Sequence, residues 1–182
     1  MTRAQAPSTL TNVSRITLAR SRAVLLAAGI ALIAGCASPP PLASAADSPT
    51  ALAGQVLAAL ARNERATLEQ LALSESEFRD HVWPHLPASR PERNLPFSYV
   101  WGDLQQKSAA SLARTLAHHR DPRYELVDVR FDGERTPYAD VTVHRDAVFV
   151  VRGPGGQEEI RVCGSFLEQG GRWKVFSYVV ED

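Results

Sequence analysis

The sequence is poor in the motifs from which the common hydrolytic and metal-dependent enzymes are assembled. Two cysteines occur in 182 residues, Cys36 and Cys163, so no disulfide framework can be built. There is no HExxH pattern, which excludes the zinc-protease helix, and no GxSxG, which excludes a nucleophile elbow. Gly164-Ser165 falls within a strand-like run, where such an elbow has no room to form. The run Gly153-Pro154-Gly155-Gly156 lies between two strand-like segments, not between a strand and a helix, so it reads as a hairpin turn and not a phosphate loop. His81 and His85 have the spacing of a zinc pair, but Pro84 breaks the helix between them and no third ligand stands at a diagnostic distance, so no metal is expected. The sequence implies no cofactor. Acidic residues are missing from residues 1 to 36, which hold four arginines: Arg3, Arg15, Arg20 and Arg22. Setting those aside leaves 16 basic against 20 acidic residues, a net charge of −4 from residue 37 onward. With its arginines scattered, such a domain lacks the concentrated basic face that phosphate-backbone binding requires, and nucleic acid is not an expected partner.

What is present begins with targeting. A basic stretch through Arg22 leads into thirteen apolar and small residues, Ala23 to Gly35, and then Cys36. As a helix that run covers about 20 Å, short of the roughly 30 Å hydrocarbon core, so a cleaved signal fits better than a permanent span. The junction Ile33-Ala34-Gly35-Cys36 resembles the lipobox of bacterial lipoproteins. The resemblance implies that the Cys36 thiol is diacylated, that the signal is cut before it and that the new amine is acylated. The acyl chains then form the membrane anchor, each buried methylene contributing about 0.8 kcal/mol. The alternatives are an uncleaved start, or a plain secretory signal cut after a small residue such as Ala45 or Ala46. Ala37 follows Cys36 where an aspartate would resemble an inner-membrane retention signal, so in a Gram-negative cell the expected site is the outer membrane, facing the periplasm. Residues 1–36 are thus read as the signal with its lipobox, 37–49 as a flexible tether rich in proline, alanine and serine, and 50–182 as one domain.

Within that domain, Leu52, Val56, Leu57 and Leu60 recur at helical spacing until Asn63-Glu64 interrupts them, and Leu68 and Leu71 mark a second short helix. Ser74 and Glu77 form an S-x-x-E capping box that opens a third, with Phe78 and Val82 inward until Pro84 stops it. From Pro96 the stripe Phe97, Val100, Trp101, Leu104, Ser108, Leu112 and Leu116 predicts the longest helix. After Asp121-Pro122 the period changes to two, predicting strands over 124–132, 136–144, 147–152, 158–168 and 172–180 joined as an antiparallel meander. Helices followed by strands predict an α+β domain. In the last strand both faces carry large apolar residues, and helices on one face alone would leave the other for a second subunit, so a homodimer is one expectation. Cys163, within the run IRVCGSF, is expected as buried apolar filler.

Two segments resemble the nuclear transport factor 2-like superfamily, which includes SnoaL-like and ketosteroid isomerase-like proteins. They are the opening QVLAALARNERATLEQLAL and the ending GRWKVFSYVV, residues 171 to 180. The resemblance covers roughly residues 50 to 182 and implies a long helix lying across a curved antiparallel sheet, with a conical cavity between them. The early hairpin of that superfamily is not obvious, because residues 85 to 96 contain three prolines. An isomerase on this fold would need a carboxylate base in a dry pocket and an oxyanion donor. Asp103 and Tyr99 are the nearest candidates, one helical turn apart, with Trp83, Trp101 and Trp173 as apolar walls. The competing reading makes Asp103 the partner of Lys107 in an exposed i, i+4 ion pair. Two functions follow: a non-catalytic, membrane-anchored accessory lipoprotein holding a small apolar ligand or an envelope protein, or a small-molecule acid–base enzyme using the pocket.

Overall fold

Ser48 accepts a hydrogen bond from Ala51 N–H and Pro49 occupies the first helical turn, and together they start α1, Pro49–Ala61. The helix ends where Asn63 takes a left-handed conformation at φ 54°. The structure, a computed structural model, describes residues 40–119 and 124–180; the signal, Cys36 and the first residues of the tether lie outside them. Helix α2, Arg65–Leu71, follows, and the capping box at Ser74 and Glu77 opens α3, Glu75–Glu77. This continues as a π-helical turn, Phe78–Val82, and a 3-10 turn, Trp83–His85, at Pro84. Two further 3-10 turns start at Pro87 and Pro91 and bring the chain to α4, Phe97–His118, the longest described helix. No helix among the described residues is long and apolar enough to cross a membrane.

The strands are β1 Glu125–Phe131, β2 Arg135–Tyr138, β3 Val141–Arg145, β4 Ala147–Gly153, β5 Gly156–Ile160, β6 Ser165–Gln169 and β7 Arg172–Ser177. They form two antiparallel sheets, β1-β4-β5 and β2-β3-β6-β7, so the domain is α+β. The pairings show how the two sheets arise from one meander. Glu125 pairs with Arg152 and Tyr138 with Val141, so β1-β2 lies antiparallel to β3-β4; Gly153 pairs with Gly156 and Thr142 with Glu168, so β3-β4 lies antiparallel to β5-β6. Each ribbon is interrupted at the same level: at Asp132–Glu134, at Asp146 with φ 54°, and at Arg161–Gly164. Hydrogen bonds from Asp132 N–H to Asp146 O and from Ala147 N–H to Gly164 O carry the ladder across the line. Two expected strands are each a pair of shorter ones, 136–144 because the chain reverses in a hairpin at Ala139-Asp140 and 158–168 because of the bend at Arg161–Gly164, and the single curved sheet is two sheets, neither strongly curled. Alternation in the sequence runs on through the bend at Arg161–Gly164, which is why it hides that one.

Both faces of the four-stranded sheet are covered by the same chain. Trp173, Val175 and Phe166 pack with α1 and α2, in a cluster that extends to Phe149 and Val151 of the other sheet. Val141, Val143, Leu167 and Phe176 pack instead with Phe78, Val82 and the first half of α4. The second face of β7, which left room for a partner subunit, is thus filled internally. Helix α4 serves both clusters, Val100 and Leu104 meeting the second and Leu112 and Leu116 the first. At its middle, Ser108 Oγ accepts a hydrogen bond from Tyr178 N–H. On the outer face of the three-stranded sheet, Arg130 of β1 reaches over β4 to Glu159 of β5 in a double hydrogen bond of 2.6 and 2.7 Å. That bridge roofs Val148, which is 1 % exposed between charged neighbours.

The tether is shorter than its composition implied. Within the expected 37–49 segment, Leu42, Ala45 and Ala46 are buried, and Ala46 exchanges two main-chain hydrogen bonds with Trp173 at the edge of β7. Small apolar residues in a proline-rich stretch have no period to announce them, yet here they close a sheet edge. The next part of the same edge is covered by Leu73, whose N–H donates to Val175 O.

One buried ion pair joins these pieces. Lys174 of β7 is 3 % exposed and its Nζ lies 2.9 Å from Glu77 Oε2 and 3.2 Å from Oε1. The Glu77 carboxylate also accepts from Ser74 N–H, Ser74 Oγ and Ala43 N–H. Burial by itself would raise the Glu77 pKa, but the hydrogen bonds from Ser74, Lys174 and Ala43 together outweigh it and hold the carboxyl below its ordinary range. Removing one partner leaves a buried charge, so Lys174→Met and Glu77→Gln are each expected to cost about 3–5 kcal/mol in urea unfolding, the second because the Lys174 ammonium then has no counter-charge. Because the folded pKa lies below the unfolded value of about 4.3, the contribution is complete above that value and is lost as pH falls through the folded one. Unfolding curves of Glu77→Gln between neutral and strongly acid pH should accordingly show a shallower acid loss than those of the parent; equal slopes would contradict the assignment.

Candidate functional site

The bends that divide the ribbons also make a groove. Where β3 turns into β4 and β5 into β6, the strands leave space beneath the first half of α4, a cavity of about 440 Å³. Its floor is apolar: Phe78 from the π-helical turn, Leu86 after it, Val100 and Leu104 from α4, and Phe176 and Val179 from the chain end of β7. Its lip is charged, with Asp103 and Lys107 on the helix side and Arg145 and Asp146 on the sheet side. Ser165 and Ser177 add hydroxyls; Ser177 Oγ already accepts from Val179 N–H.

Gly164 sets the width of the groove's closed end. A Cβ at this position would stand 1.7 Å from the Val179 carbonyl oxygen, so only glycine lets the segment after β7 lie against the bend. Gly164 N–H donates to Ser177 O at 2.9 Å, and Tyr178 OH donates to Leu68 O at 2.6 Å, which fixes the same segment to α2.

Of the five residues expected around a pocket, the groove takes one. Asp103 lies on the lip, but its Oδ2 is 2.8 Å from Lys107 Nζ and its side chain is 49 % exposed. Tyr99 is 66 % exposed and lines no part of the groove. The pair thus stands in solvent and not in an enclosed pocket, and this geometry argues against Asp103 as base with Tyr99 as donor. Trp83 packs edge-on against Phe97 and Trp101 packs against Phe78, both as core walls. Trp173 is on the opposite face of the sheet, stacked with Phe131 at 6.0 Å and against His144 at 4.8 Å. Helical spacing brought Tyr99 and Asp103 together correctly; it carried no information on which side of α4 the sheet would lie.

His81 and His85 point to different surroundings. His81 is fully buried, its Nδ1 3.2 Å from Asp140 Oδ2, and Gln169 Nε2 donates to the same Asp140 oxygen at 2.7 Å. Burial would raise the Asp140 carboxyl, but the bonds from Gln169 and His81 outweigh it and hold its pKa below the ordinary value. His85 is exposed in the 3-10 turn. Among the described residues no three His, Cys, Asp or Glu side chains come together as a metal site. The other imidazoles within hydrogen-bond reach of a side chain meet Tyr124, from His119, and Glu168, from His144. Cys163 is 1 % exposed, and burial pushes its thiol far above the ordinary range, so it is packing and not a nucleophile.

The groove residues that the sequence did not point to include Phe78, read as facing inward, Leu86, in a stretch read as irregular, Phe176, on the second face of the last strand, and Arg145, read as part of a bend. The turn was itself the signal, since a strand-breaking aspartate between two β-branched runs marks a place where a sheet opens. No protein-family model matches the chain, and comparison with curated proteins and with solved structures gives no match. Substituting Gly164→Ala is expected to displace the Val179 segment and lower the melting temperature by several degrees, whereas Asp103→Asn should leave it unchanged; thermal unfolding of the two variants tests the assignment of closed end and lip.

Proposed function

We propose that the protein is an exported, lipid-anchored accessory protein whose groove holds an elongated apolar ligand with an acidic head. The observation that carries this reading is the groove itself, an apolar floor of six side chains under a charged lip. On that lip Lys107 is already paired with Asp103, while the Arg145 guanidinium has no hydrogen-bond or ion-pair partner among the described residues. A guanidinium beside an apolar trough suits a carboxylate whose hydrocarbon part lies in the trough. Anchoring is supported by the sequence before Cys36, and the cell envelope follows as the location.

We further propose kinship with the nuclear transport factor 2-like superfamily. Support comes from the order of elements, two short helices, a long helix and an antiparallel meander, and from the position of the groove between the long helix and the sheet bend. The chain differs from that pattern in two places. Proline-led 3-10 turns occupy residues 83 to 93 where the superfamily has a hairpin, and a second apolar cluster fills the other face of the four-stranded sheet. A small-molecule acid–base enzyme is the weaker reading, because Asp103, its candidate base, is paired with Lys107 at the solvent-exposed lip.

Titration of the full-length protein in detergent with a fluorescent long-chain fatty acid tests the ligand. Saturable binding is expected, weakened about ten-fold by Arg145→Gln, the loss of one charge-assisted contact, and weakened further by Leu104→Asp in the floor. Absence of saturable binding, or binding indifferent to both substitutions, counts against the groove. Native mass spectrometry of the same material reads whether it is a monomer or a dimer.

A further inference from the structure

The short tether has a geometric consequence. Residues 42 to 47 form a strap fastened at several points: Leu42 N–H donates to Gln169 Oε1 at 3.1 Å, Ala43 N–H to Glu77 Oε1 at 2.8 Å, and Ala46 pairs with Trp173 at 2.9 and 2.8 Å. Arg172 adds bonds to Ala45 O and to Asp47. Only residues 37 to 41 separate Cys36 from the first fastened residue, and three of them, Pro39, Pro40 and Pro41, are prolines. Fully extended, a link of that length reaches about 20 Å, and its prolines stiffen it.

The strap lies at one end of the ribbons. It meets the sheet beside the Gly170-Gly171 turn, and the Gln169 side chain that receives Leu42 also bonds Asp140 in the Ala139-Asp140 turn. The Pro154-Gly155 turn closes the opposite end. Between the two ends β3 and β4 run from Val141 to Gly153, a path of up to about 40 Å at strand rise. Two acidic side chains at the strap end are hydrogen-bonded, Asp47 to Arg172 and Asp140 to Gln169, with His81 Nδ1 beside Asp140.

We infer that the acylated protein is held with its Ala139-Asp140 and Gly170-Gly171 turns against the bilayer surface and its Pro154-Gly155 turn directed away from it. This rests on the reading of Cys36 as the acylated anchor. The domain does not hang from a long linker in all orientations; the strap fixes which end faces lipid.

The test uses full-length protein reconstituted into phosphatidylethanolamine–phosphatidylglycerol vesicles carrying a headgroup acceptor dye. A donor is attached through Ala139→Cys in one variant and Gly155→Cys in another. Gly155 has open space around its Cα, and buried Cys163 does not compete for the label. Energy transfer from residue 139 should exceed that from residue 155 by roughly two-fold or more, as a separation of tens of ångströms along the strands implies. Inserting twenty Gly and Ser residues between Pro41 and Leu42, a coil of about 25 Å root-mean-square span, should abolish the difference. Equal transfer in acylated, uninserted protein overturns the orientation alone. An intact mass without acyl chains on Cys36 overturns the anchor, and the orientation with it.

Discussion

The Glu77 carboxylate is the point at which three separate pieces of chain are held in one arrangement. It caps the helix that begins at Ser74, receives the N–H of Ala43 from the strap and lies against Lys174 of the last strand. A buried ammonium in an apolar cluster is costly unless its counter-charge is fixed, and Glu77 is fixed by bonds it would make in any capping box. The local motif therefore does a long-range task. With Lys174 drawn inward, Phe176 two residues on falls on the same face and meets Phe78, which brings the end of β7 and the π-helical turn together as two sides of the groove. The site thus depends on an interaction that touches no ligand.

Sequence periodicity revealed those parts of the architecture that are set within one turn or one hairpin. The Ser74 and Glu77 box and the stripe from Phe97 to Leu112 each carry their instruction within a few residues, and helices form there, whereas Ser48 and Pro49, assigned to the tether, cap and open α1. The strap and the ion pair were not legible. Leu42 and Ala45 are too few and too irregularly placed to signal burial, and Lys174 alternates in a strand as an exposed lysine would until Glu77 arrives from 97 residues away. The bend at Asp146 was legible as a break between strands, whereas the one at Arg161–Gly164 was hidden because Ile160, Val162 and Phe166 alternate in phase across it. Of the candidate site, Asp103 was reached through its helical neighbour, whereas the groove's floor draws on three distant segments whose meeting only the fold determines.

Two polar devices divide the surface of the sheets between them. On the three-stranded sheet, Arg130, Asp132, Glu159 and Arg161 form a continuous net over Val148, and mutual pairing with Glu159 and Asp132 raises the Arg130 pKa further above its already high value. A face finished in this way is satisfied by its own charges and water, and covering it with another protein would strip that water without a matching return. The groove is the opposite case, apolar below and incompletely paired above. The surface proposed for recognition is accordingly the one where the ribbons bend.

Under the anchoring proposed at Cys36, the strap also bears on how the protein would leave the membrane. A cut between Cys36 and Leu42 would shed the domain with its sheet edge still sealed. A cut a few residues later, inside the strap, would free the donors and acceptors of Trp173 at the rim of β7 and expose the apolar surface under Leu42 and Ala45. Such a fragment would carry a template for strand addition by another chain. A displacement of a few residues along the chain thus separates a soluble shed form from one prone to self-association, and the fastening of residues 42 to 47 shields the more damaging cleavage site.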